Sequence, residues 1–267
     1  MTTYRVRVLF LLTGLCISFV PVAVAVTIAS LTHERAAAAG ENYDGFIEIV
    51  NKSDNPAVIE VYQTDYEFQS DGSNSFGEPG ALARSNAKWI DFSPNRITIP
   101  PRETYHVDYS VTVPDDASLS GTYWSMLMVE EINRDSGAGD PRDNQASISQ
   151  VIRYGVQCIT HIGESGESDL EITDAELLAA ELESKELQLD VKNNGNRWAV
   201  PIIWAELYDH AGKSAGKFEC EKKRIFPGTS VRFLINLGNQ LSGKYKALVV
   251  IDSGEENVLG AKYDLEF

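Results

Sequence analysis

Apolar and polar residues alternate with a period of two along most of the chain beyond residue 40. Tyr105, Val107, Tyr109, Val111 and Val113 are separated by His106, Asp108, Ser110 and Thr112. Leu187, Leu189 and Val191 alternate with Gln188 and Asp190, and Val231, Phe233, Ile235 and Leu237 repeat the pattern. Successive side chains of a strand point to opposite faces, so this alternation predicts strands with one face on a core and the other in water. Further strands are predicted over 46–51, 57–68, 123–131 and 147–162, then over 170–178, 185–193, 202–209, 217–222, 244–252 and 258–267. Turn sequences such as Ser70-Asp71-Gly72, Pro100-Pro101, Asn194-Gly195-Asn196 and Pro227-Gly228 lie between them. Residues 176–186 are rich in Ala, Leu and Glu, but a helix there would be short and isolated, and the stretch reads as strand, turn and strand. Short strands at this spacing predict β-sandwiches, not βαβ units.

The pattern occurs twice. Leu119-Ser120-Gly121-Thr122-Tyr123 and Leu241-Ser242-Gly243-Lys244-Tyr245 each open a long apolar run. Ile99-Pro100-Pro101 and Phe226-Pro227-Gly228 each introduce the alternating strand before it, and Ile49-Val50-Asn51-Lys52 aligns with Asp190-Val191-Lys192-Asn193. Three landmarks in one order, offset by 141, 127 and 122 residues, indicate a duplicated architecture with length changes in loops. The expected fold is all-β: two tandem immunoglobulin-like Greek-key sandwiches, residues 26–163 and 168–267, joined by the polar stretch 163–168. Tyr123 and Tyr245 fit the tyrosine corner of such sandwiches, whose hydroxyl turns back to upstream backbone.

The first 25 residues follow a different logic. Arg5 and Arg7 precede an uncharged run from Val8 to Val20, then Pro21 and Ala23-Val24-Ala25. This is the order of a secretory signal peptide, residues 1–25, and it predicts export. An uncleaved anchor in the cell envelope is the alternative, because no charged residue lies between Val8 and His33. Cleavage would leave Cys158 and Cys220 in an oxidising compartment, where they either form a disulfide or stand as separate thiols.

Charge and motifs narrow the function. The 267 residues carry 39 acidic and 23 basic side chains, a formal net charge of −16. Such a surface repels phosphate backbones, so no nucleic-acid partner is expected. His33, His106, His161 and His210 lie far apart without ligand-spaced neighbours, and no nucleophile elbow, zinc-protease helix, P-loop or dinucleotide fingerprint occurs. The acidic loops 70–75 and 135–143 do not match a calcium-loop spacing. The chain is therefore expected not to be an enzyme, with no cofactor, no metal and no small-molecule substrate.

Recognition surface is the better prospect. A polar loop, 133–145, leads into the strand 147–162, where Ile148, Ile152, Tyr154, Val156 and Cys158 fall on one face, interrupted early only by Gln150. Packed wholly inside, this is the last strand of a sandwich. Running along an open edge, it could add a strand to another protein.

An exported pair of such domains resembles periplasmic pilus-assembly chaperones of the PapD type. The likeness runs through Ile49-Val50-Asn51, Ile99-Pro100-Pro101, Ser118-Leu119 leading to Met126-Leu127-Met128-Val129-Glu130-Glu131-Ile132, and the final strand of the first domain. It implies binding of a pilus or fimbrial subunit in the cleft between the domains, with an outer-membrane usher as a further partner. Residues Ile148, Gln150 and Ile152 would then belong to the donated strand. The family's first-strand arginine would be Arg35, five positions before Gly40, and its late-strand lysine falls on Gln157, with Arg153 the nearest basic residue. The reading from another class is a structural or adhesive immunoglobulin-like module of the cell envelope or surface.

Overall fold

The computed structural model describes residues 26–132, 151–179, 184–254 and 258–267. The expected signal peptide 1–25, the loop 133–145, and Ile148 and Gln150 lie outside them. Two β-sandwiches follow one another along the chain. In the first, β1 (Val26–Ile28), β3 (Asn42–Asn51), β8 (Thr104–Thr112) and β6 (Ile90–Ser93) form one sheet in the order β1-β3-β8-β6. The facing sheet runs β2 (Thr32–Ala37), β10 (Arg153–Ile162), β9 (Gly121–Glu131), β4 (Ala57–Phe68) and β5 (Asn74–Gly77), with β7 (Arg96–Ile99) also on β4. Among the described residues every pairing is antiparallel except that of β2 with β10.

The second sandwich sets β11 (Leu170–Ala179), β12 (Lys185–Asn193) and β15 (Ser230–Gly238) against β14 (Ser214–Glu219), β13 (Ile202–Tyr208), β16 (Lys244–Asp252) and β17 (Val258–Glu266). Each sandwich has its own core, drawn from the inward residues of the alternating strands. Ile47, Ile49, Val107 and Val111 meet Ile59, Leu127 and Val156 in the first. Leu187, Leu189, Phe233 and Ile235 meet Ile203, Leu207, Val249 and Ile251 in the second. The tandem of sandwiches expected from the alternation is thus the architecture, and strands flank residues 180–183 on both sides. Among the described residues of the expected strand 147–162, β10 spans Arg153–Ile162, and one expected strand is displaced: β14 covers Ser214–Glu219 rather than 217–222.

The duplication is real in geometry, one residue out from the alignment read in the sequence. The buried Asn51 side chain donates through Nδ2 to the carbonyls of Asn55, Ile99 and Pro100, and its Oδ1 accepts from the Ser53 amide. Asn193 does the same in the second sandwich, donating to the carbonyls of Arg197 and Ile225 and accepting from the amides of Asp169 and Gly195. Asn51 therefore corresponds to Asn193, not to Lys192. Each amide side chain stitches a strand end to the turn entering the next alternating strand.

That stitch replaces the expected tyrosine corners. Among the described residues neither the Tyr123 nor the Tyr245 hydroxyl reaches a backbone acceptor. The rings pack instead: Tyr123 lies between Trp89 (4.7 Å) and the Arg84 guanidinium (4.9 Å), and Tyr245 meets Phe267 edge-on at 5.5 Å. The disulfide is also absent. Cys158 is buried in the first core and Cys220 packs against the second, so they belong to different cores and stand as separate thiols. Burial pushes the Cys158 thiol up to about 12, which keeps it protonated and unreactive.

Candidate functional site

The first strand is shared between the two sheets of its sandwich. Strand β1 pairs with β3, the chain bends at Ala29 and Leu31, and β2 then joins β10 in the opposite sheet. The pairing of β2 with β10 starts only at Thr32 opposite Gln157, and the Gln157 amide donates to the Leu31 carbonyl at 2.9 Å. The preceding residues of β10, Arg153 to Val156, pair with β9 alone, at Glu130 to Leu127. Backbone polar groups alternate sides along a strand. The N–H and C=O of Arg153 and Gly155 therefore point the same way as those of Gln157, towards an edge that β2 does not cover. Leu31 and Val151, each 48% exposed, flank this half-edge.

The expected partner-binding residues distribute unevenly around it. Ile152 is half-buried and precedes the strand. Arg153 is exposed and paired with Glu130 at 2.7 Å across β9. Farther along the same stripe, Tyr154 packs on the first core while Val156 and Cys158 are part of it, so this half faces inward. At Gly155 a Cβ would meet the Met126 methyl at 2.4 Å, so a larger residue there would have to push aside the end of that flexible side chain.

Arg35 and Gln157 do not converge. Gln157 pairs with Thr32 and Ile159 with Glu34, so these four share the face turned to the second sandwich. Arg35 pairs with Thr160 and lies on the opposite face, its guanidinium 5.7 Å from the Tyr43 ring. A carboxylate anchor made by these two residues is therefore not assembled. The spacing from Gly40 selected a residue one position away from the one that faces the cleft, and one position in a strand reverses the face.

What does face the second sandwich is Glu34, at the centre of a junction that sequence reasoning missed. Trp124 and Ile159 of the first sandwich and Phe226 of the second form a buried cluster, with Phe68 and Trp198 against it. Phe226 packs against Trp124 in a tilted arrangement at 4.8 Å, and its near-complete burial contributes on the order of 2–3 kcal/mol. Beside it the Thr122 amide donates to the Asn196 carbonyl (2.8 Å), and the Trp198 amide to Thr122 Oγ1 (3.0 Å). Gly121, at φ +75°, makes this approach possible: a Cβ would sit 1.9 Å from the Asn196 oxygen. On the far side the Ser70 amide donates to Ser230 Oγ, and Ser230 Oγ donates to Gln69. The periodicity signals showed which residues are inward within each sandwich. They carry no signal for outward residues that a second sandwich covers, and two aromatic side chains so close to Pro201 and Pro227 were the only available hint.

Among the described residues no group of three or more His, Cys, Asp or Glu side chains could hold a metal ion. His106 is on the polar face as its parity predicted, stacked on Phe46 and 3.2 Å from Glu48. Asp71 in the 70–75 loop accepts from the Ser73 amide within its own turn.

Neither a family model nor a curated protein matches the chain. Solved structures do. The class 5 fimbriae chaperone CfaA is 14% identical, with 90% of this chain and 98% of that one covered and a TM-score of 0.45. The E. coli chaperone DraB is 12% identical over 91% and 98%, with a TM-score of 0.39. The Pseudomonas aeruginosa CupB2 chaperone is 11% identical over 90% and 100%, also with a TM-score of 0.39. At 11–14% identity these are likenesses of fold.

Proposed function

We propose that the chain is a non-enzymatic, exported protein of the pilus-assembly chaperone kind, which holds a fimbrial subunit by strand addition in the periplasm. The observation that supports this most directly is the half-edge of β10, residues Arg153 to Val156, left without a neighbour among the described residues by the late start of β2. An uncovered strand edge presents a row of backbone donors and acceptors that another chain can complete. The apolar flank of Leu31 and Val151, with Ile152 between edge and loop, would set the register of the added strand. Ile148 and Gln150 would extend the same edge, and no cofactor is required.

The inward burial of Val156 and Cys158 favours the second reading, a structural or adhesive module of the envelope, and the two differ in what a proline does. Arg153→Pro removes an N–H that points to the open side and leaves the ladder to β9 intact. The cost to the fold is one exposed ion pair, worth about 0–1 kcal/mol. Co-expressed with a candidate fimbrial subunit, the variant should retain roughly 2- to 13-fold less of it, the worth of one edge hydrogen bond at about 0.5–1.5 kcal/mol. Undiminished capture by a folded Arg153→Pro protein would refute strand addition at this edge.

A further inference from the structure

His161 is 4% exposed, on the face of β10 that meets the second sandwich. Its Nδ1 lies 2.9 Å from Thr122 Oγ1 and its Nε2 lies 3.2 Å from Glu34 Oε1. Its ring packs against Trp198 in a tilted arrangement at 4.8 Å. Trp198 also donates its backbone N–H to Thr122 Oγ1, and the Arg224 guanidinium lies 4.7 Å from the Trp198 ring and 3.7 Å from Glu34. The result is a closed circuit: second sandwich to Thr122, to His161, to Glu34, and back through Arg224 to the second sandwich.

The protons of that circuit have one complete arrangement. Thr122 Oγ1 receives the Trp198 N–H, so its own hydrogen needs an acceptor, and the lone pair of His161 Nδ1 supplies it. Nε2 then carries the ring hydrogen and donates to the Glu34 carboxylate. A second proton on Nδ1 would point at Thr122 Oγ1 and displace its hydrogen, leaving a hydroxyl that is 0% exposed without an acceptor. We infer that His161 makes the seating of the second sandwich on the first sensitive to acidity: the neutral ring clasps the joint, and protonation loosens it at Thr122 and Trp198.

The charges around the ring agree. Glu34 on β2 attracts the imidazolium but is shared with Arg224. Arg197, from the turn before Trp198, opposes it, and Glu164 in the connecting stretch is itself paired with Arg197 at 3.2 Å. Strand β9 contributes only Thr122. Burial is the largest influence and lowers the affinity of the ring for a proton below its ordinary value of 6.5, with Glu34 pulling the other way. A histidine depressed in the folded state binds fewer protons there than when unfolded. Its contribution is therefore whole above pH 6.5 and is lost as pH falls through the folded value.

The test is a titration of the full chain from pH 8 to pH 4.5 followed by nuclear magnetic resonance. The His161 ring should titrate below 6.5, and the Thr122 and Trp198 amide resonances should shift with the same midpoint. In His161→Gln, which keeps a donor and an acceptor but does not titrate, both amide shifts should disappear. His33, whose proton affinity burial also lowers, bonds to Tyr109 on the other face and serves as the internal control. Stationary amides at Thr122 and Trp198 while His161 titrates would overturn the inference, as would the same shifts persisting in His161→Gln. Should that variant not fold, the wild-type midpoints decide alone: coincidence supports the clasp, and separation defeats it. Capture of a subunit at the β10 edge enters none of these readings.

Discussion

Replacing Phe226 with alanine is expected to lower the unfolding free energy by about 3–5 kcal/mol, the range for truncating a buried aromatic. The side chain is 1% exposed and touches rings on both sides of the junction: Trp124 at 4.8 Å and Phe68 at 6.2 Å in the first sandwich, Trp198 at 6.0 Å in its own. The site cannot collapse cheaply, since the backbones beside it are held by the Thr122–Asn196 and Ser70–Ser230 bonds. Either the void stays or those bonds stretch. Denaturant titration of the variant checks this. A loss of less than about 1 kcal/mol, the size of a surface substitution's effect, would mean that Phe226 is not a keystone of the joint.

The second large effect is expected at Asn193. Asn193→Ala deletes four hydrogen bonds from a side chain that is 0% exposed, two donated to the Arg197 and Ile225 carbonyls and two accepted from the Asp169 and Gly195 amides. Each buried group left without a partner costs about 1–3 kcal/mol, and water can reach some of these turn atoms, so a total of about 3 kcal/mol is expected. Calorimetry should show the loss in the second sandwich, with the first, stitched by Asn51, unfolding as before. Equal destabilisation of both would show that the two stitches do not act locally.

Much of the fold could be read from the sequence because its strands are long, half-buried and alternating. Strands β4, β12 and β16 occupy the very residues the alternation marks. Strand β2 could not be found that way. Thr-His-Glu-Arg-Ala-Ala has no apolar period, since its inward positions carry His33, bonded to Tyr109, and Arg35, laid on Tyr43. The candidate site suffered for it. Without the register of β2 against β10, nothing in the spacing distinguishes Glu34 from Arg35, although their side chains leave the sheet in opposite directions. His161 was visible only as an isolated histidine. Its partners Thr122, Glu34 and Trp198 come from three separate segments, a convergence that no local pattern records.

The bend through residues 29–31 acts as a ruler. Where the N-terminal segment changes sheets determines how many residues of β10 remain uncovered. Adding two residues to β2 ahead of Thr32 would close the gap by two rungs, and removing two would widen it by as many. The length of docking edge this protein offers is thus written outside the edge itself, in a three-residue crossing from one layer to the other.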